Sequence, residues 1–271
     1  MHATRTTTSH HVDVKGGQLH VQVREGGDEP ALVFLHYWGG SHRTWTPVVE
    51  LLDPARAFAA LDQRGWGESQ AMPGPYGMEQ LADDAERVVE TLGYTDYVVV
   101  GHSMGGKAAQ ALAARRPIGL RGVVLVAPAT PAPAGVTPEL QEMISHAYDS
   151  AETIDQNIDL MLTNGGLSDA LRRQVHQDSS RAGQDARLAW PTQGLVEDHS
   201  ARVGAIDVPV LVLAGSDDKV DPPEALRAHL LPLIPTATLT VLPGTGHLSP
   251  LEVPAQVAHH LTTFLTHLRT G

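Results

Sequence analysis

A serine, a histidine and a group of aspartates stand at positions where they could together activate a hydroxyl for attack on a carbonyl carbon. Ser103 lies in Gly101-His-Ser-Met-Gly105, between an apolar run typical of a buried strand and an alanine-rich run typical of a helix. Such a tight strand-to-helix turn strains the backbone at the serine, and the two glycines leave room for the crossing chains. We therefore expect the Ser103 hydroxyl at the carboxyl end of a sheet, where the positive end of the following helix favours developing negative charge.

A hydroxyl is a poor nucleophile at neutral pH, and so it needs a base that a carboxylate orients. His247 follows the apolar run Thr238–Leu242 on a glycine-containing loop, which lets an imidazole swing over the end of a sheet. We predict that His247 is the base. His102 directly precedes the serine, so its side chain should point away from the hydroxyl, and we expect it to pack in the core.

Three carboxylates compete to orient the histidine. Asp217, Asp218 and Asp221 all follow the apolar run Val210–Ala214. A loop at a strand end, in the chain order serine, acid, histidine, is the right place for the acid. The earlier run Val123–Ala127 ends in Pro-Ala-Thr and offers no carboxylate. The residues by themselves leave the choice among the three open.

An attacked carbonyl also needs N–H donors for the negative charge that develops on its oxygen. The backbone N–H of Met104, directly after the serine, is the first expected donor. The second should come from the loop His36-Tyr-Trp-Gly-Gly40, which follows another apolar run.

The surrounding elements are those that would position such a site. Short β-branched runs alternate with longer helical patterns, which predicts a mostly parallel sheet with helices on both faces. The predicted strands are Gln18–Arg24, Ala31–Leu35, Phe58–Leu61, Tyr97–Val100, Val123–Ala127, Val210–Ala214 and Thr238–Leu242, and the predicted helices are Met78–Leu92, Gly105–Arg116, Pro223–Leu231 and Pro250–Leu268.

One long stretch interrupts this alternation. Residues 131–205 contain three helical patterns, Pro138–Tyr148, Ile154–Leu162 and Leu167–Gln177, with no strand among them. Insertions of this length usually carry structure of their own and often act as lids. We therefore predict a helical cap at 131–205, inserted into a core made of 1–130 and 206–271.

Composition excludes several classes of function. The chain of 271 residues contains no cysteine, which rules out disulfides and thiolate catalysis, and its net charge of −12 argues against nucleic acid or an anionic membrane as partner. The polar residues 1–11 lack a secretory apolar stretch, and no run is long enough to span a bilayer, so we predict a cytoplasmic protein. The 15 histidines are scattered without chelating spacing, and we expect neither a metal nor a cofactor.

Taken together, these motifs resemble the α/β-hydrolase superfamily, in particular its branch of small-lid serine esterases, cofactor-free haloperoxidases and meta-cleavage-product hydrolases. Besides the serine motif, the resemblance covers Asp62-Gln-Arg-Gly-Trp-Gly-Glu-Ser69 and Gly244-Thr-Gly-His247 followed by Glu252-Val-Pro254. It implies an eight-stranded sheet and a catalytic triad of serine, histidine and aspartate. The family's spacing, three residues after the strand-end glycine and four before a proline, selects Asp218 for the acid.

The resemblance also implies roles for the loop that follows the predicted strand Ala31–Leu35. By position Trp38 donates the second oxyanion N–H, and Tyr37 stands where the family usually has glycine. Both residues are therefore candidates to line the substrate pocket. Asp62 and Arg64 correspond to residues that look structural. A serine at position 103 excludes the branches that use an aspartate nucleophile.

The implied function is a serine hydrolase that cleaves a small carboxylic ester or lactone through an acyl-enzyme, with Ser103, Asp218 and His247 as its triad. Two alternatives use the same triad, a perhydrolase or haloperoxidase and a carbon–carbon bond hydrolase acting on a dienoic acid. The second would need a cap arginine for the carboxylate; Arg172, Arg173 and Arg181 are candidates, but the sequence identifies none of them for this role. A third alternative is a receptor on this fold that binds a ligand without turnover.

Overall fold

A computed structural model describes residues 6–270 and contains one eight-stranded sheet with the order β1-β2-β4-β3-β5-β6-β7-β8. The pairs β1–β2 and β2–β4 are antiparallel, and all the others are parallel. The strands are β1 (Thr7–Val14), β2 (Gly17–Arg24), β3 (Asp28–Leu35), β4 (Arg56–Leu61), β5 (Tyr97–His102), β6 (Leu120–Val126), β7 (Val210–Gly215) and β8 (Ala237–Leu242). The predicted fold class is confirmed.

Strand burial explains which strands the sequence revealed. Every residue of β4, β5 and β7 is buried, because helices cover both faces of the sheet there, and such strands read as continuous apolar runs. The edge strand β1 buries only Val12 and is otherwise polar, and it was not predicted as a strand.

Helices pack on both faces of the sheet. One face packs on α2 and α3 and the other on α1 and α11. The helices are α1 (Thr46–Val49), α2 (Met78–Leu92), α3 (Met104–Ala114), α4 (Pro138–Ser145), α5 (Ala151–Asn157), α6 (Asp169–Arg181), α7 (Gln184–Thr192), α8 (Ser200–Val203), α9 (Pro223–His229), α10 (Ser249–Glu252) and α11 (Pro254–Thr270). Within residues 6–270, no helix is both long and apolar enough to cross a bilayer. The cytoplasmic location stays a prediction.

One helical prediction needs correction, and two helices were not predicted. The single helix expected over Pro250–Leu268 is two helices, α10 and α11, because Pro254 has no N–H with which to continue the first. Between β6 and β7 lies a helical insertion, defined here as residues 131–205. It holds α4 to α8 and a π-helical turn at Ile158–Leu162, and of these α7 and α8 were not predicted.

Candidate active site

Ser103 occupies a sharp turn between β5 and α3. Its backbone has φ 54° and ψ −114°, a left-handed conformation that non-glycine residues rarely adopt. A Cβ at Gly101 would lie 2.3 Å from the Gly105 carbonyl oxygen, and one at Gly105 would lie 2.6 Å from the carbonyl oxygens of Leu35 and His36. Only glycine permits the two loops to approach this closely. The serine hydroxyl does not cap α3 and is left to face the cavity described below.

Of the three competing carboxylates, Asp218 is the one that contacts the imidazole. His247 Nδ1 lies 2.9 Å from Asp218 Oδ2, and both side chains are buried. The other Asp218 oxygen accepts the backbone N–H groups of Val220 at 2.8 Å and Asp221 at 3.0 Å. Asp217, in contrast, is exposed and accepts a hydrogen bond from its neighbour Ser216.

The electrostatics of this pair suit a general base. Burial disfavours the charged imidazole, but the charge and hydrogen bond of Asp218 outweigh it and raise the pKa of His247. Burial likewise disfavours the charged carboxylate, but His247 and two backbone N–H groups hold the pKa of Asp218 below its usual value. Asp218 is therefore ionised at neutral pH and accepts the Nδ1 proton. Nε2 is then free to take a proton from a group in the cavity.

Two backbone N–H groups at the Ser103 turn and the Trp38 loop have no hydrogen-bond acceptor among residues 6–270. Met104 is the first residue of α3, where an N–H has no partner within the helix. The N–H of Trp38 donates to no backbone acceptor within residues 6–270. The close approach of Gly105 to the carbonyl oxygens of Leu35 and His36 brings the two loops together. The arrangement offers the pair of donors that a developing oxyanion needs.

The helical insertion holds the loop that carries Trp38. The Tyr148 hydroxyl donates to the Trp38 carbonyl at 2.7 Å, and the Trp38 indole donates to the Arg187 carbonyl at 3.0 Å. The Ser179 hydroxyl donates to the Gly39 carbonyl at 3.0 Å. Gly39 has φ +102°, and a Cβ there would lie 2.3 Å from the Tyr148 hydroxyl. The sequence carried no signal for Tyr148, which contacts the loop from 110 residues away.

Tyr37 and His102 pack behind His247. The two rings lie 5.1 Å apart, and His102 Nε2 donates to the His247 carbonyl at 2.8 Å. Burial and the neighbouring His247 lower the pKa of His102 to about 3, so that its imidazole stays neutral. His102 thus packs beside His247 and fixes its backbone. Tyr37 also reaches the cavity wall.

A cavity of about 600 Å³ contains Ser103 and His247 in its wall, within the range typical of small-molecule sites. Most of the remaining wall is apolar and comes from the helical insertion. Five large apolar side chains of the wall are also exposed to solvent: Leu140, Met143, Leu160, Met161 and Val220. Trp38 and Tyr37 both line this cavity.

Lys107 and Asp221 are ionisable residues in the wall that the sequence analysis gave no pocket role. The ammonium of Lys107 donates to the carbonyls of Gly194 at 3.0 Å and Glu197 at 2.7 Å, and so ties α3 to the helical insertion. Burial lowers the pKa of this lysine to about 8, although nearby acidic residues oppose the shift. Asp221 had been one of the three candidates to orient His247 and instead lines the cavity.

Asp62 lies outside the cavity in a separate polar cluster. Its carboxylate accepts hydrogen bonds from His20 Nδ1 at 2.8 Å, His42 Nδ1 at 3.0 Å and the backbone N–H groups of His42 and Glu68. His20, His42 and Asp62 have the residue types of a metal site, and their ligand atoms lie within 4.8 Å of one another. Because four donors already satisfy the carboxylate, the cluster is complete as a hydrogen-bond network. It joins β2 to the loops after β3 and β4.

Arg64 makes a buried, bidentate ion pair with Asp84, at 2.6 and 2.7 Å. Its guanidinium also donates to the carbonyls of Lys15 and Pro73. The residue therefore braces the loop after β4 and does not reach the cavity wall.

Comparison with known proteins agrees with this architecture. A family model described as the alpha/beta hydrolase fold matches residues 30–153. The acetyltransferase component of the acetoin cleaving system of Cupriavidus necator is 29% identical over 84% of this chain, which spans 62% of that longer protein. A pimeloyl-[acyl-carrier protein] methyl ester esterase of Pseudoalteromonas atlantica is 25% identical over 84% of this chain and 91% of its own length.

Among solved structures, an esterase from Exiguobacterium antarcticum superposes with a TM-score of 0.85 at 20% identity, covering 96% of this chain and 100% of its own. That likeness concerns the fold. With the family match over residues 30–153 and the sheet order, it shows that the chain has the α/β-hydrolase fold.

Proposed function

We propose that this protein is a serine hydrolase that cleaves a small carboxylic ester or lactone through an acyl-enzyme. One observation carries the proposal: the strained Ser103 turn and the Asp218–His247 hydrogen bond of 2.9 Å open onto the same cavity. A strained backbone conformation is maintained where the surrounding fold demands it, and it is common at nucleophiles.

In the proposed mechanism, the Ser103 hydroxyl attacks the carbonyl carbon while His247 Nε2 takes its proton. Asp218 holds the imidazole in the required tautomer and stabilises its charged form. The N–H groups of Met104 and Trp38 hold the oxyanion. His247 then returns the proton to the leaving alcohol, and water repeats the sequence to release the acid and restore the serine.

The helical insertion would act as a cap over this site. Its side chains form most of the apolar wall, and its hydrogen bonds hold the Trp38 loop. We propose that residues 131–205 select the substrate through that wall, whereas the core, at 1–130 and 206–271, supplies the chemistry. The ends of the chain at 1–5 and 271 lie outside the described residues. An apolar wall favours a substrate whose body is apolar.

A chain-length series of p-nitrophenyl esters tests the proposal. Wild-type protein should release nitrophenol, and Ser103→Ala should lose at least about 10⁴-fold in kcat. The matched control is Ser180→Ala, an exposed serine of α6, which should keep full activity. A Ser103→Ala protein that retains most of its hydrolysis would overturn the assignment.

Parallel assays separate the alternatives that share the site. Peracid formation from a carboxylic acid and hydrogen peroxide, exceeding ester hydrolysis, would favour the perhydrolase or haloperoxidase. Cleavage of a dienoic acid but not of esters would favour the carbon–carbon hydrolase. The absence of any nitrophenol burst across the series would favour the receptor.

A further inference from the structure

Asp221 is an acidic residue in the cavity wall, and it has no role in the proposed mechanism. It is partly exposed and lines the same cavity as Ser103 and His247. Its backbone N–H donates to Asp218 Oδ1 at 3.0 Å, which fixes the residue beside the acid. Within residues 6–270 its carboxylate takes part in no hydrogen bond or ion pair with another residue. The apolar wall around the carboxylate disfavours its charged form, so a bound cation that pairs with it would stabilise that form.

The nearby cations are engaged elsewhere. The Lys107 ammonium donates to the carbonyls of Gly194 and Glu197, and the Lys219 ammonium donates to the Leu160 carbonyl at 2.8 Å. His247 uses its Nδ1 for Asp218. Burial raises the pKa of Asp221 to about 7, and the charge on His247 only partly offsets it. Within residues 6–270 no cationic side chain pairs with this carboxylate, so a cationic partner for it would come from a ligand in the cavity.

We propose that Asp221 is the recognition site for a protonated amine on an otherwise apolar ligand. An ammonium supplies both the missing charge and the missing hydrogen-bond donors, and it favours the ionised carboxylate. The apolar side chains around it suit the alkyl or aromatic body of the same ligand. As a statement about substrate, the inference rests on the proposed function, but the binding site stands independently of turnover.

The same carboxylate selects against anionic ligands. A ligand carboxylate placed next to Asp221 would meet a like charge, and like charges at close range disfavour binding. This repulsion argues against a dienoic acid as the substrate.

Titration calorimetry with three six-carbon probes tests the inference on the full-length protein. Hexylammonium should bind wild-type protein more tightly than hexan-1-ol, and hexanoate should bind most weakly. Asp221→Asn, which keeps the shape and removes the charge, should weaken hexylammonium by roughly 10- to 100-fold. It should change hexan-1-ol by less than about 2-fold, because the apolar wall is intact. The matched control, Asp217→Asn, alters an exposed neighbour and should bind all three probes as wild type does.

Either of two results would overturn the inference: hexylammonium binding no tighter than hexan-1-ol to wild-type protein, or equal hexylammonium affinity in wild type and Asp221→Asn. The first comparison needs no variant and holds if Asp221→Asn does not fold. Nitrophenyl ester hydrolysis, measured on the same wild-type preparation, separates the two proposals. If the amine binds through Asp221 but no ester is hydrolysed, only the serine-hydrolase proposal is refuted. If esters are hydrolysed but the amine does not bind through Asp221, only the amine-site proposal is refuted.

Discussion

The strained backbone at Ser103 predicts an unusual stability ranking for two inactive variants. Replacing the serine with alanine keeps a Cβ at φ 54°, whereas glycine adopts that conformation freely. The backbone hydrogen bonds of residue 103 persist in both variants. Its N–H donates to the Val126 carbonyl at 3.1 Å, and its carbonyl accepts from the Ala129 N–H at 3.2 Å. The comparison therefore isolates the conformational strain.

The expected difference follows from two opposing effects. Relief of a strained conformation stabilises the glycine variant by about 1–3 kcal/mol. The greater freedom of glycine in the unfolded chain costs it about 0.5–1 kcal/mol. We expect Ser103→Gly to be more stable than Ser103→Ala by about 1 kcal/mol, which raises the melting temperature by about 2–4 °C in a chain of this size.

Urea unfolding and thermal melting of the two purified variants measure this difference directly. Both should be inactive towards esters, so activity cannot confuse the comparison. A glycine variant that is less stable than the alanine variant, or equal to it, would show that the turn stores no strain. It would remove the strained Ser103 turn from the observation on which the proposed function rests.

Three further predictions concern the rest of the site. Asp218→Asn should lower kcat by about 10⁴-fold, whereas Asp217→Asn should not change it. If steady-state kinetics showed instead that Asp217→Asn lowers kcat and Asp218→Asn does not, Asp217 and not Asp218 would be the acid of the triad. Because Asp218 raises the pKa of His247 above its usual value of about 6.5, kcat/KM should fall as pH drops through a midpoint above 6.5, and a midpoint well below this would contradict the pairing. Tyr148→Phe leaves the Trp38 carbonyl without its donor and should cost about 1–3 kcal/mol in unfolding free energy. It should also lower kcat, and an unchanged kcat would mean that the loop does not depend on the helical insertion.

Several elements of the fold could be predicted from neighbouring residues, because their causes are local. The helix expected at Met78–Leu92 has those bounds, and it ends at Gly93 in the left-handed conformation that a glycine C-cap adopts. The turn at Ser103 was recognisable because steric crowding between crossing chains demands glycine on either side. The buried strands were recognisable from their continuous apolar runs.

Other elements left no local trace. The edge strand Thr7–Val14 is polar because it is paired on one side only and is largely exposed, so its pattern reads as an unstructured start. Helices α7 and α8 are short, and packing against the rest of the protein stabilises them more than their own propensity does.

The candidate site also has features that the sequence predicts and features that only the tertiary structure shows. The sequence by itself determined which residue types could do chemistry and in what order they follow the strands, since turn sterics and strand ends are properties of short segments. The residues by themselves left three aspartates open and the family's spacing selected Asp218; the tertiary structure places Asp218 against His247, and only it showed that Asp221 lines the cavity. It also brought Tyr148 to the carbonyl of Trp38. The Tyr148 contact and the lining of the cavity depend on how distant segments pack, and short sequence patterns do not encode that packing.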